Sequence, residues 1–144
     1  MSSRPTVATK CGDARHTTRA LVLIVDDNEC IRRLFAEILQ SEGYQTVEAR
    51  TGVEAIEKTI LVNPNLVLID LSLPDMTGTD VARAINEGSS GRIPVIGCSA
   101  YWSSRYKATA LQSGMVDYLI KPVSVDVFKA TVAKYLIQGI IQVL

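Results

Sequence analysis

The sequence predicts a doubly wound α/β fold: a five-stranded parallel sheet covered by helices on both faces. Two observations carry this. Five short strand segments can be picked out, and Leu21–Val25 is a continuous apolar run with the character of a strand buried on both sides. The strand segments alternate with five segments of helical period, and a parallel return requires a crossover helix. At 144 residues the chain has the length of one domain.

Residues Met1 to Arg19 are polar, mixed in charge and aperiodic, and are expected to be a flexible tail, with the folded domain spanning 20–144. Leu21–Val25 is the first strand, closed by Asp26, Asp27 and Asn28. Ile31, Leu34, Phe35, Ile38 and Leu39 recur at helical spacing, and Gly43 is a stop signal. Gln45–Ala49 is the second strand. Thr51 and Glu54 have capping-box spacing and open a helix through about Leu61. Leu66–Ile69 is the third strand, closed by Asp70, and Gly78–Asn86 the third helix. Pro94–Cys98 leads to Ser99, Arg105–Gln112 is helical, and Asp117–Ile120 is the fifth strand, ending at Lys121-Pro122. Ser124 is the expected N-cap of a last helix running toward the end, although Gly139 weakens a long regular one.

Composition narrows the function. Hydrophobic residues are 47% and charged residues 21%, a globular balance. Lys plus Arg and Asp plus Glu are both 15, and zero net charge argues against a nucleic-acid wrapper. No apolar run reaches the roughly 20 residues of a membrane span, and the N-terminus lacks a signal-peptide core. Three cysteines (Cys11, Cys30, Cys98) at no metal-ligand spacing are expected to be reduced thiols of a cytoplasmic protein. The single histidine, His16, leaves little for a histidine-based metal site or triad.

The strand ends fall near Asp26, Glu48, Asp70, Ser99 and Lys121, spaced 22, 22, 29 and 22 residues apart. In a parallel sheet these ends share one edge, where such folds bind ligands. Taken singly, each has a structural explanation: Asp27 or Asn28 as a helix cap, Ser99 satisfying a loop amide, Lys121 as a solvated charge. As a set they point to chemistry, because clustered carboxylates repel unless a cation joins them. Asp26, Asp27 and Asp70 offer hard oxygen ligands suited to Mg²⁺. Beside a lysine and a hydroxyl, such an ion equips a site for a phosphoryl group, and a carboxylate can itself be the nucleophile. No Gly-rich phosphate loop is present, which argues against a bound nucleotide.

Four stretches, Val25–Asn28, Leu68–Gly78, Pro94–Ala100 and Gly114–Pro122, occur in order at family-like spacing. On them the chain, from about Leu21 to Leu136, resembles the receiver domain of two-component response regulators. The resemblance implies a flavodoxin-like (βα)5 fold with strand order 2-1-3-4-5, which leaves the second strand, with Glu48, at the sheet edge and chemically idle. It implies Asp70 as phosphoacceptor and a Mg²⁺ shell of Asp27 directly, Asp26 partly through water, Asp70, and the backbone carbonyl of Ser72. Ser99 takes the switch position, Tyr118 the aromatic that changes rotamer with it, and Lys121 the phosphoryl-binding cation, aimed by a cis Lys121-Pro122 bond.

The implied mechanism is a population switch. A histidine kinase or phosphotransfer protein donates the phosphoryl group, the domain catalyses its own phosphorylation and hydrolysis, and the signal leaves by protein contact through the helix 4–strand 5–helix 5 face. The chain is thus expected to be a signalling switch, not an enzyme acting on a metabolite. Tyr101 and Trp102 place two aromatics on the loop that moves; their rings either pack on the next helix or meet a partner, and a bulky Tyr101 would slow water's approach to the phosphoryl group. The segment Tyr135–Leu144 is apolar on more than one side; the surplus either packs back on the domain, begins a connection to a further domain, or forms a homodimer seam, which is the preferred expectation.

Met1-Ser2-Ser3 is the start expected of a whole, stand-alone regulator, with a receiver cut from a hybrid kinase or larger regulator as the alternative. A receiver-like interaction module that takes no phosphate would lack the acceptor Asp or the Lys, and both are present. An aspartyl phosphatase would place a second acid two residues past the nucleophile, where Ser72 stands.

Overall fold

The computed structural model describes residues 19–101 and 103–143, the last six of these as backbone. Residues 1–18 of the expected tail, with Cys11 and His16, and also Trp102, lie outside the described residues. Ten elements alternate: β1 (Leu21–Val25), α1 (Glu29–Ser41), β2 (Gln45–Ala49), α2 (Gly52–Val62), β3 (Leu66–Asp70), α3 (Gly78–Gly88), β4 (Val95–Ser99), α4 (Ser104–Gln112), β5 (Asp117–Ile120) and α5 (Val125–Val143). The strands are all parallel, in the order β2-β1-β3-β4-β5.

Side chains alternate across a strand, so each apolar run feeds two cores. Val22, Ile24, Leu66, Leu68, Ile96 and Leu119 face α1 and α5, where Phe35 and Phe128 stack with centroids 4.6 Å apart. Leu23, Val25, Val67, Ile69 and Val95 face α2, α3 and α4 through Ala55, Val81, Ile85 and Ala110. This is why the runs are continuous and not alternating. Each fully buried aliphatic side chain contributes about 1.5–3 kcal/mol.

The chain leaves β1 toward β2 on one side and enters β3 on the other. The C-terminal ends of β1 and β3 therefore border the point where strand order reverses, and Asp26 and Asp70 stand there.

The helix starts follow from their caps. The side-chain oxygens of Asn28, Thr51, Thr77 and Ser103 accept from the amides of Ile31, Glu54, Asp80 and Tyr106. Ser124 does the same for Val127, as its position predicts. The Thr51–Glu54 box is only half formed: the Glu54 carboxylate accepts from the Arg50 amide, not from Thr51. The Asp75 carboxylate takes the remaining amides of that turn, Gly52 at 2.8 Å and Val53 at 2.9 Å, tying the β3–α3 loop to α2.

Helix α5 continues through Gly139 to Val143. The dimer-seam expectation falls mainly on residues 138–144, whose side chains lie outside the described residues. Among the described residues no helix is long and apolar enough to cross a membrane.

Gly78 starts α3 directly against the backbone that follows Asp70. A Cβ there would lie 2.6 Å from Leu71 Cα and 2.8 Å from the Asp70 carbonyl oxygen. The Gly78→Ala variant is expected to lose about 1–3 kcal/mol, because backbone must shift to admit the methyl group. Equilibrium urea unfolding checks this, and an unchanged midpoint would refute the close approach.

Candidate functional site

Asp26 directly follows the last residue of β1 and is 2% exposed. Its amide donates to the Ala49 carbonyl at 3.1 Å, continuing the sheet pairing by one residue. Its Oδ1 accepts from the Asn28 amide at 2.9 Å, which folds the β1–α1 loop back over the strand end. Asp27, the next residue, is exposed. Asp70 ends β3 and is 8% exposed, with Oδ1 accepting from the Ser72 amide at 3.1 Å. One carboxylate oxygen from each of the three aspartates lies within 4.8 Å of the others.

Lys121 reaches this cluster from the end of β5, with its bond to Pro122 cis as the resemblance implies. Its Nζ stands 3.0 Å from Asp26 Oδ2 and 3.7 Å from Asp70 Oδ2. The closer partner of Lys121 is thus Asp26, not Asp70. Three carboxylates and one ammonium leave two negative charges in a small volume, the charge and ligand type that fit a divalent cation such as Mg²⁺.

Burial pushes the Asp70 carboxyl above its ordinary 3.8, with Asp26 and Asp27 adding to the rise; the Ser72 amide and Lys121 pull the other way without cancelling it. For Lys121, burial pulls down, but the hydrogen bond and charge of Asp26, with Asp70, outweigh it and hold the ammonium above 10.5. Cys98, beside Asp70 in the sheet register, is driven up to about 12 by burial and stays a neutral thiol. Asp75 moves oppositely to Asp70, since the Gly52 and Val53 amides hold it below 3.8.

A carboxyl-carbon NMR titration of the metal-free protein is therefore expected to place Asp70 above 3.8 and Asp75 below it. A raised pKa means that ionising Asp70 costs stability as pH climbs from 3.8 through its folded value. A lowered one means that Asp75 contributes stability above 3.8 that is lost as pH falls through its folded value. The reverse order of midpoints would overturn both assignments.

The structure brings together the acids and the lysine that the strand ends pointed to. Ser99, 2% exposed at the end of β4, has its hydroxyl accepting from the Tyr101 amide at 3.1 Å. Tyr118, 8% exposed in β5, donates its hydroxyl to the Tyr101 carbonyl at 2.5 Å. Ser99 and Tyr118 thus hold the same loop residue. The Tyr101 ring is 65% exposed and stacks on Tyr106 of α4, centroids 6.5 Å apart. That is the packing on the next helix expected as one alternative.

β2 lies at the sheet edge as expected, and Glu48 stands outside the acidic cluster but pairs with Arg32. Glu48 Oε1 lies 2.7 Å from Arg32 Nε, and Arg32 Nη1 donates to the Asp26 carbonyl at 2.7 Å. The buried stripe of α1 is Arg32, Phe35, Ala36 and Leu39, while Leu34 is 53% exposed. The period of the apolar residues passed over Arg32 because a cation does not count as apolar. An arginine at i−3 and i−4 from Phe35 and Ala36 was the available signal. Asp75 was missed as well, since a carboxylate capping a helix 22 residues earlier leaves no local pattern.

Comparison with known proteins agrees. The sequence model described as the response regulator receiver domain matches residues 22–133. The polar-differentiation response regulator DivK of Brucella ovis is 34% identical over 116 residues, covering 80% of this chain and 94% of that protein. The receiver domain protein (CheY-like) of Methanospirillum hungatei superposes with a TM-score of 0.81 at 29% identity, covering 85% of this chain and 98% of the other. The chemotaxis response regulator CheY4 of Vibrio cholerae gives 0.76 at 27%, covering 81% and 98%.

Proposed function

The chain belongs to the response regulator receiver domain family, and on that premise we propose that it takes a phosphoryl group on Asp70 in a Mg²⁺-dependent reaction and signals the change by protein contact. Members of this family are phosphoacceptor switches of two-component systems, not enzymes with turnover on a metabolite. The carrying observation is the convergence of Asp26, Asp27, Asp70 and Lys121 from the ends of β1, β3 and β5.

In the proposed reaction an Asp70 carboxylate oxygen attacks the phosphorus of a phosphohistidine on a histidine kinase or phosphotransfer protein. The new O–P bond forms as the P–N bond breaks, and the departing imidazole nitrogen takes a proton from solvent. Asp27, Asp26, Asp70 and the Ser72 carbonyl would hold Mg²⁺, which when bound offsets charge on the phosphoryl oxygens. Lys121 shifts toward the phosphoryl group as that charge arrives, a short move from its 3.7 Å distance to Asp70. The Ser99 hydroxyl leaves the Tyr101 amide to bind a phosphoryl oxygen, freeing the loop that Tyr118 also holds. The β4–α4 loop then changes population, and the α4–β5–α5 face carries the readout. That face has Tyr106, Leu111, Val116 and Ile120 exposed, apolar groups available to a partner.

Intact mass after incubation with Mg²⁺ and acetyl phosphate tests the reading. The expected result is one added phosphoryl group that requires Mg²⁺. No gain with either acetyl phosphate or a phosphorylated kinase would leave the alternative of a receiver-like interaction module.

A further inference from the structure

We propose that Arg32 and Glu48 form a positioning pair that sets the divalent-cation affinity of the acidic site while lying outside its ligand set. The inference rests on the Mg²⁺ reading of that site. Arg32 occupies the core-facing stripe of α1 among Phe35, Ala36 and Leu39, a position where helical period alone would place an apolar residue. Its side chain is 9% exposed, and both contacts are 2.7 Å long: Nε to the Glu48 carboxylate and Nη1 to the Asp26 carbonyl.

The second contact is the informative one. The Asp26 carbonyl belongs to the planar peptide unit that joins Asp26 to Asp27. Fixing that plane constrains the directions in which both Cα atoms present their carboxylates. Glu48 orients the guanidinium from the edge strand, and Lys58 Nζ in turn holds the Glu48 carbonyl at 2.5 Å. The chain of contacts runs α2, β2, α1, then the β1–α1 loop, and ends one bond from two of the three clustered acids.

Stability gives a poor account of this arrangement. The Glu48 side chain is 34% exposed, so solvent screens the pair and its attraction adds little to stability. A lysine would not reproduce the arrangement, because the two acceptors are met by two nitrogens of one rigid fork.

The test measures Mg²⁺ affinity by titration calorimetry and amide exchange at Asn28, whose amide bonds to Asp26. The full chain is compared with Arg32→Met, Arg32→Lys, Glu48→Gln, Asp27→Asn and Leu39→Val. Loss of a partner that orients metal ligands weakens binding about 10–100-fold. Arg32→Met is expected to fall in that range, with Arg32→Lys failing to restore affinity, Glu48→Gln weaker than the parent, and faster Asn28 exchange in all three. Leu39→Val, a core change on the same stripe, should lower stability and leave affinity unchanged.

Parent-like affinity and exchange in Arg32→Met overturn the inference while the Mg²⁺ reading stands. If Arg32→Met does not fold, parent-like affinity in Glu48→Gln does the same. A parent that binds Mg²⁺ no better than Asp27→Asn overturns the Mg²⁺ reading, and this inference with it.

Discussion

The Asp70→Asn variant is expected to lose covalent phosphoryl uptake entirely and, without metal, to unfold at a higher temperature than the parent. The first effect follows from chemistry: the carboxamide is close in shape to the carboxylate but cannot form the acyl phosphate. The second follows from electrostatics. Asp70 is 8% exposed, and its ligand oxygen lies within 4.8 Å of those of two other aspartates. Burial and those neighbours raise its pKa, so at neutral pH the folded state carries an ionised group that the unfolded chain would hold more comfortably. Removing the charge removes that cost. Each kcal/mol recovered is worth about 3–5 °C in a domain of this size. Saturating Mg²⁺ should shrink or reverse the gain, since a cation bound only by the folded state stabilises the parent in proportion to its affinity. Thermal unfolding with and without Mg²⁺, paired with intact mass, checks both. A variant that still gains a phosphoryl group would move the acceptor elsewhere, and a lower metal-free midpoint would refute the electrostatic account.

Lys121→Met is expected to be the more damaging change. Lys121 is the ammonium paired with buried Asp26 at 3.0 Å, and its side chain is 18% exposed. Removing one partner of a buried pair leaves the other uncompensated, at about 3–5 kcal/mol in a dry site. Partial exposure of Lys121 brings the expectation to about 2–4 kcal/mol, or roughly 10 °C. Three carboxylates would then share the site with no cation. Mg²⁺ should therefore restore more stability to Lys121→Met than it adds to the parent. The double variant Lys121→Met with Asp26→Asn should lose much less stability than the sum of the two single changes, because either change alone already breaks the pair. A loss below about 0.5 kcal/mol, the scale of an ordinary surface substitution, would show that Lys121 is a solvated charge after all.

Much of this architecture was legible in the order of residues. Leu21–Val25, Leu66–Ile69 and Pro94–Cys98 could be recognised as strands because both faces of a parallel sheet are covered, so nothing interrupts the apolar run. Asn28, Thr51 and Ser124 could be recognised as caps because a cap acts within three residues of itself. Asp26, Asp70 and Lys121 stood out because a strand that ends in a charge exposes it on the same edge as every other strand end.

The contacts that assign work to those residues had no such signature. Lys121 meets Asp26 across 95 positions of sequence, and nothing local to either residue selects Asp26 over Asp70 as its nearer partner. Glu48, legible only as a polar strand end, became a partner of Arg32 once α1 and β2 were packed side by side. Asp75 became the cap of α2 through a loop that arrives from the far side of β3. Periodicity and capping are set by neighbours along the chain, so sequence alone determined the elements, their order and the edge on which the charged groups gather. Hydrogen bonds and ion pairs act over about 3 Å between residues that the chain itself holds far apart, so only the tertiary structure decided which charge pairs with which.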